Sequence, residues 1–275
     1  MNAKAVIAVI VGVVMYLVII AIPVSEMSRL FIFLGVIVIL PYVVGPILIR
    51  YRQRLSANPQ LEPKAPQDLS REVSEFFQRA TQDLTGEGLT GWPPFAHRLD
   101  NVTMYLKLFL NNETGDSITA TAIYSNLKGA VRLRAKNLII TTKLDDGQWY
   151  TTSNASVPGI FCRSPDRHGL FLPQVQDNSR LYRIHRAWLH KAAPAGRPVL
   201  PAEGREIASV AEEMADSLAR QVQLGFYYID PALNRYRPTW KGAVLMTWKM
   251  CWPVKQIRKA LRIRKDKRIV RRLGF

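Results

Sequence analysis

Two long apolar runs open the chain, and residues 5–24 and 30–49 contain no Asp, Glu, Lys or Arg. At about 1.5 Å rise per residue, either run covers about 30 Å, the thickness of a bilayer's hydrocarbon core. Both therefore read as membrane-spanning helices. Pro41 and Pro46 fall inside the second run, where a membrane helix tolerates them because neighbouring groups re-satisfy the freed backbone. Only Ser25-Glu26-Met27-Ser28-Arg29 separates the runs, so the expected anchor is an antiparallel hairpin. The first run is longer than the apolar region of a signal peptide, and no A-x-A cleavage pattern follows it. It is read as a retained span.

Beyond Arg50 the apolar spacing shortens. Residues 55–67 hold three prolines and little periodicity, and read as an extended linker. Leu69, Val73, Phe76, Phe77, Ala80 and Leu84 then recur at helical spacing, with Asp68 as cap and glycines at 86, 88 and 91 as the stop. The period changes to two in Val102–Leu110 and Ser117–Tyr124, where Ile118, Ala120 and Ala122 share one face. Leu138–Leu144, the turn Asp145-Asp146-Gly147 and Gln148–Thr152 read as a hairpin. Residues 157–176 show no pattern. Asp177 starts a second helix burying Leu181, Ile184 and Trp188. A Pro/Ala-rich link at 193–202 leads to a third, Glu206–Leu224, striped with Ile207, Val210, Ala211, Met214, Leu218 and Val222. Phe226–Ile229 and Tyr236–Trp240 read as a last hairpin. The expected fold class is α+β. The hairpin anchor would occupy 1–54, the linker 55–67, the α+β domain 68–240 and a basic amphipathic helix 241–275.

Charge changes the picture at the carboxyl end. The chain of 275 residues has 38 Lys and Arg against 21 Asp and Glu, a net charge of +17. Ten of the cations lie between Lys255 and Arg272: Lys255, Arg258, Lys259, Arg262, Arg264, Lys265, Lys267, Arg268, Arg271 and Arg272, with Asp266 the one acid among them. Apolar Ile257, Leu261, Ile263, Ile269 and Val270 are interleaved, and Trp248 and Trp252 lie just upstream. Such a segment seeks a polyanion, and three settings fit it: a helix packed on its own domain, an interfacial helix on anionic lipid, or a nucleic-acid contact. An anchor that already holds the domain at a bilayer favours lipid, where each cation gains about 1 kcal/mol near the surface. Lys4 precedes the first run, whereas Arg50, Arg52 and Arg54 follow the second. By the positive-inside rule both termini are expected in the cytoplasm, at an inner or plasma membrane.

Chemical motifs are sparse. Two cysteines, Cys162 and Cys251, make no disulfide framework. Cys162, Asp166 and His168 lie close together in sequence, and a thiolate beside Arg and His would be activated. His185 and His190 stand five apart on one helix, about 140° apart around its axis, which is wrong for a shared metal ion. No phosphate-binding, dinucleotide or zinc-protease pattern occurs, so no cofactor or metal is expected. An enzyme, if present, would draw on Cys162, Asp166, His168 and His185 within 157–190.

Leu224-Gly225-Phe226, followed by Arg235-Tyr236-Arg237-Pro238-Thr239-Trp240-Lys241-Gly242, resembles the wing of winged-helix DNA-binding domains. That resemblance implies a membrane-tethered DNA-binding protein whose reading helix is 206–224. The helix carries Glu206, Glu212, Glu213 and Asp216, which repel phosphates, so nucleic acid ranks last among the partners. The leading expectation is an interaction or scaffold protein without catalytic activity. Its partners would be the bilayer, anionic phospholipid and an unidentified protein.

Overall fold

The computed structural model describes residues 25–57, 59–99, 102–127, 130–161, 164–201 and 203–275. Of the two apolar runs, the first lies outside the described residues. The second is one helix, α1 (Glu26–Arg52), capped by Ser25, which accepts a hydrogen bond from the Ser28 amide at 3.3 Å. Its start at Glu26 places the expected connecting residues 26–29 inside the helix, where Ser25 supplies the cap and the acid faces the positive helix end. Pro41 and Pro46 remain within it.

The rest is sheet-rich, with helices on both faces. The short strands β1 (Leu55–Ser56) and β2 (Glu62–Pro63) and a 3-10 turn at Pro66–Asp68 precede α2 (Arg71–Thr85). Next come β3 (Thr90–Gly91), β4 (Phe95–Leu99), β5 (Val102–Asn111), β6 (Asp116–Leu127), β7 (Ala130–Lys143), β8 (Trp149–Ser153) and β9 (Arg167–Phe171). α3 (Asn178–Ala192), α4 (Glu206–Gln223), β10 (Tyr227–Asp230), β11 (Arg235–Pro238), α5 (Trp240–Met250) and α6 (Val254–Arg272) complete the order.

The large sheet runs β2-β4-β5-β6-β7-β8-β9, with β3 pairing the end of β5. All its pairs are antiparallel except the last, in which β9 lies parallel to β8 from Trp149↔Arg167 to Ser153↔Phe171. The long β5–β6 hairpin turns tightly because Asn111 accepts from the Glu113 and Thr114 amides and Gly115 takes φ +63. Period-two patterning made β5, β6 and the end of β7 legible. The turn at Asp145–Gly147 is also as expected, with Gly147 at φ +81.

Three expectations differ. The linker at 55–67 supplies β1 and β2, because paired main chain is cheaper than a free extended segment beside two sheet edges. The patternless stretch 157–176 contains β9. The carboxyl segment holds two helices, broken at Pro253, which cannot donate to the α5 ladder.

One face of the large sheet is covered by α2, α3 and the end of α6. Val73, Phe77, Ala80 and Leu84 from α2 meet Phe109, Ile118, Ala120, Leu138 and Ile140 there, and Val270 of α6 joins them. Fully burying a side chain such as Phe77 or Leu84 contributes about 1.5–3 kcal/mol. The other face is capped by α4, whose Val210 packs on Phe95, Leu106, Leu108 and Leu110. Farther along α4, Leu218 joins Tyr227, Tyr236 and Met246 in a separate core with Ile49 of α1. That core sits on the small sheet, ordered β1-β11-β10. α4 is thus the beam connecting the large sheet to the apolar helix. Within the link that follows α3, residues 197–199 are strapped down: Asp145 donates to Arg197 O, Val199 donates to Lys143 O, and Leu144 bridges Pro198.

Candidate functional site

α1 is the single helix among the described residues long and apolar enough to cross a membrane, and only 6% of its most apolar window is buried. A core helix of a soluble protein would be largely covered. Phe31, Phe33, Leu34, Ile39, Val43, Ile47 and Leu48 all stand exposed.

The lower half of α1 is gripped by α5. Gly45 permits close approach, since a Cβ there would lie 2.6 Å from Thr247 Cγ2. The Tyr42 hydroxyl donates to the Trp252 carbonyl at 2.7 Å, and its ring meets Trp248 edge-on at 5.5 Å. Nearer the sheets, Arg50 donates to the Tyr228 hydroxyl at 2.8 Å and lies over its ring. These contacts fix α5 antiparallel to α1, with its tip pointing toward the middle of the apolar helix.

α5 begins at a Thr239 cap, whose hydroxyl accepts from the Gly242 amide. Ala243, Met246 and Thr247 face inward, while Trp240, Val244 and Trp248, spaced by four, stay exposed. Trp252 continues the exposed side through the turn, and Ile257 and Leu261 extend it onto α6. The cations follow. Lys255, Arg258, Lys259 and Arg262 are partly exposed beside this apolar stripe, and Arg264, Lys265, Lys267, Arg268, Arg271 and Arg272 are exposed farther along.

α6 is docked on the domain over its second half. Asp266, only 1% exposed, accepts from the Phe171 amide and from Arg262 Nε, both at 2.7 Å. Arg262 also donates to Gly169 O, and Lys191 to Arg272 O. The lone acid of the basic run thereby ties α6 to the outer edge of β9, which would otherwise be open for pairing.

Of the four residues considered for chemistry, the three described ones, Asp166, His168 and His185, are not gathered in one pocket. Cys162 lies outside the described residues. Asp166 pairs with Arg220 at 2.7 Å, and the Ser164 hydroxyl foremost, with Arg220 and Arg167, holds its carboxyl below the usual range. His168 is exposed, stacked on Tyr150 at 4.9 Å and bonded to Gln148 Oε1 at 2.8 Å. His185 is fully buried between α3 and the sheet.

Around His185 a closed polar network was hidden from sequence patterning. Asp116, also fully buried, accepts from Thr142 Oγ1 at 2.5 Å, Thr114 Oγ1 at 2.6 Å, Tyr182 Oη at 2.9 Å and Arg186 Nη1 at 3.3 Å. Thr142 spends its one proton on Asp116, so its contact with His185 Nε2 at 2.9 Å requires the imidazole to donate. His185 Nδ1 then accepts from Thr152 Oγ1 at 2.8 Å. Burial drives the imidazole's pKa down to about 4 against the pull of Asp116, which keeps the ring neutral at pH 7 in this arrangement. Burial, with Asp116 beside it, also pushes Tyr182 up to about 12. These groups pin α3 to the sheet, and no substrate reaches the imidazole.

Two concavities stand out among the described residues. An open groove of about 780 Å³ between α2 and the sheet edge is lined by Pro66, Leu69, Phe77, Thr81, Pro94 and Lys107. Burial lowers the Lys107 pKa there, and its ammonium lies 5.5 Å from the Phe109 ring centre. A smaller cleft of about 340 Å³ beneath the apolar helix is bounded by Gln53, His97, Phe161, Arg167, Glu213 and Ser217. His97 Nδ1 is occupied by Gln60 O at 3.1 Å, and Arg167 by Asp216 and the Trp149 ring. No set of three or more His, Cys, Asp or Glu among the described residues could hold a metal ion.

Comparison with protein-family models, with curated proteins and with solved structures finds no match for this chain.

Proposed function

We propose that this chain is a membrane-anchored interaction protein that works without catalysis, presenting its mixed helix-and-sheet part at the cytoplasmic face. The observation that carries the reading is the continuity of the bare apolar helix α1 with the cation-bearing helix α6, braced on it through α5. Arg50 and Arg52 in the last turn of α1 favour the inner side for everything after them. The exposed cations of α6 favour an anionic leaflet. The groove under α2 offers a protein partner an apolar surface on the far side of the sheet from α4.

The test uses full-length protein reconstituted in vesicles. Crosslinking of α6 to headgroups should be strong with anionic lipid, weak with neutral lipid and reduced by salt. Equal crosslinking to both would remove anionic lipid from the reading. Activity of an externally facing reporter fused after Phe275 would overturn the orientation.

A further inference from the structure

We infer that the α5–α6 turn is an interfacial wedge, inserted into the same leaflet through which α1 leaves the membrane. The inference deepens the membrane reading above and rests on it. It goes from electrostatic contact by basic residues to immersion of a specific apolar tip.

Height along α1 decides the matter. Trp252 O is bonded to Tyr42, eight residues before Arg50, which places the tip about 12 Å farther along the axis. With Arg50 held at the phosphates, about 5–7 Å outside the hydrocarbon, the tip reaches about 5–7 Å into the hydrocarbon itself. Raising the whole protein so that Tyr42 reaches the surface does not help. Only residues 26–41 of α1 would then remain, about 24 Å of helix for a core of about 30 Å. Both placements immerse the tip or strand the helix, and the composition of the tip suits immersion.

Trp248, Met250, Trp252, Ile257 and Leu261 are each at least half exposed. Five large apolar side chains exposed around the junction of α5 and α6 would be costly in water. Tryptophan is the residue that favours the membrane interface, its ring among chains and its N–H toward headgroups. Lys255 and Lys259 flank Ile257 on α6 and can extend their stems along the tip to reach phosphate. Lys249, one turn below Trp252, is drawn away from the tip by its bond to Ile160 O at 2.8 Å. Beyond Arg262, α6 runs to its dock on β9.

The probe is a vesicle containing lipid brominated on the acyl chain, which quenches only tryptophan in contact with it. Full-length protein should lose a clear part of its emission, that of the two tip residues among its six tryptophans. The Trp248→Phe/Trp252→Phe double variant should lose most of that quenching, whereas Trp188→Phe, altered inside the domain, should keep it. Phenylalanine keeps a ring at both positions, so the edge contact of residue 248 with Tyr42 is retained and the fold stays intact. Each sample is also washed with alkaline carbonate. Retention in the membrane together with quenching that the double variant preserves would overturn the wedge while leaving the anchor standing. Release by carbonate would overturn the membrane reading itself and the wedge with it.

Discussion

Acidification should loosen the packing of α3 on the sheet, and His185 sets the size of the effect. In the folded chain the imidazole is enclosed by Thr142 and Thr152, and burial brings its pKa from 6.5 to about 4. Unfolded, it takes up a proton near its ordinary value. A group depressed in the folded state contributes stability that is complete above about pH 6.5 and disappears as pH falls toward 4. At about 1.4 kcal/mol per tenfold change in proton affinity, the loss between these limits is about 3 kcal/mol. The assay is hydrogen exchange of the β7, β8 and α3 amides in detergent-solubilised full-length protein, from pH 7 to pH 4, after correction for intrinsic rates. The wild-type chain should lose protection there more steeply than His185→Gln, whose absolute stability is lower but whose side chain does not titrate. Parallel profiles would refute the reasoning, because carboxylates elsewhere titrate equally in both.

Other outcomes follow from particular contacts. Asp266→Ala leaves the Phe171 amide and Arg262 without their shared acceptor, at a cost of about 3 kcal/mol, and exchange should rise in α6 and β9 while α2 stays protected. Phe77→Ala empties the centre of the α2 interface and should lower stability by about 3–5 kcal/mol, read as the unfolding midpoint of the full-length chain. Gly45→Leu drives a side chain into Thr247. In a cysteine-free background, oxidative crosslinking between Tyr42→Cys and Trp248→Cys should form and then be lost when Gly45→Leu is added.

What the sequence disclosed depended on periodicity and on lone signals. α2, α3 and α4 carried their stripes openly, and the β7–β8 turn was announced by Asp145 and Gly147. β9 was silent because Arg167-His168-Gly169 mixes polar residues and glycine. It is held by parallel pairing to β8 and by Asp266, ninety-five residues from the Phe171 amide it accepts from. The buried network escaped for the same reason. Asp116, Thr142, Thr152 and His185 come from four separate elements, and each alone looks like a surface residue. The basic run of α6 was visible, but its lone acid looked incidental, whereas it is the residue that docks the helix. Nothing in the spacing of α5 foretold how far up α1 its tip would reach, because that height comes from the Gly45–Thr247 crossing and the Tyr42 hydrogen bond.

The most direct measurement is labelling of single cysteines in intact cells with a membrane-impermeant maleimide, in an otherwise cysteine-free full-length chain. Ser28→Cys at the start of α1 should react from outside, and Gln53→Cys just past its end should react only after lysis. The reverse pattern would invert the orientation. Reaction of both residues from the same side would mean that α1 does not cross the membrane.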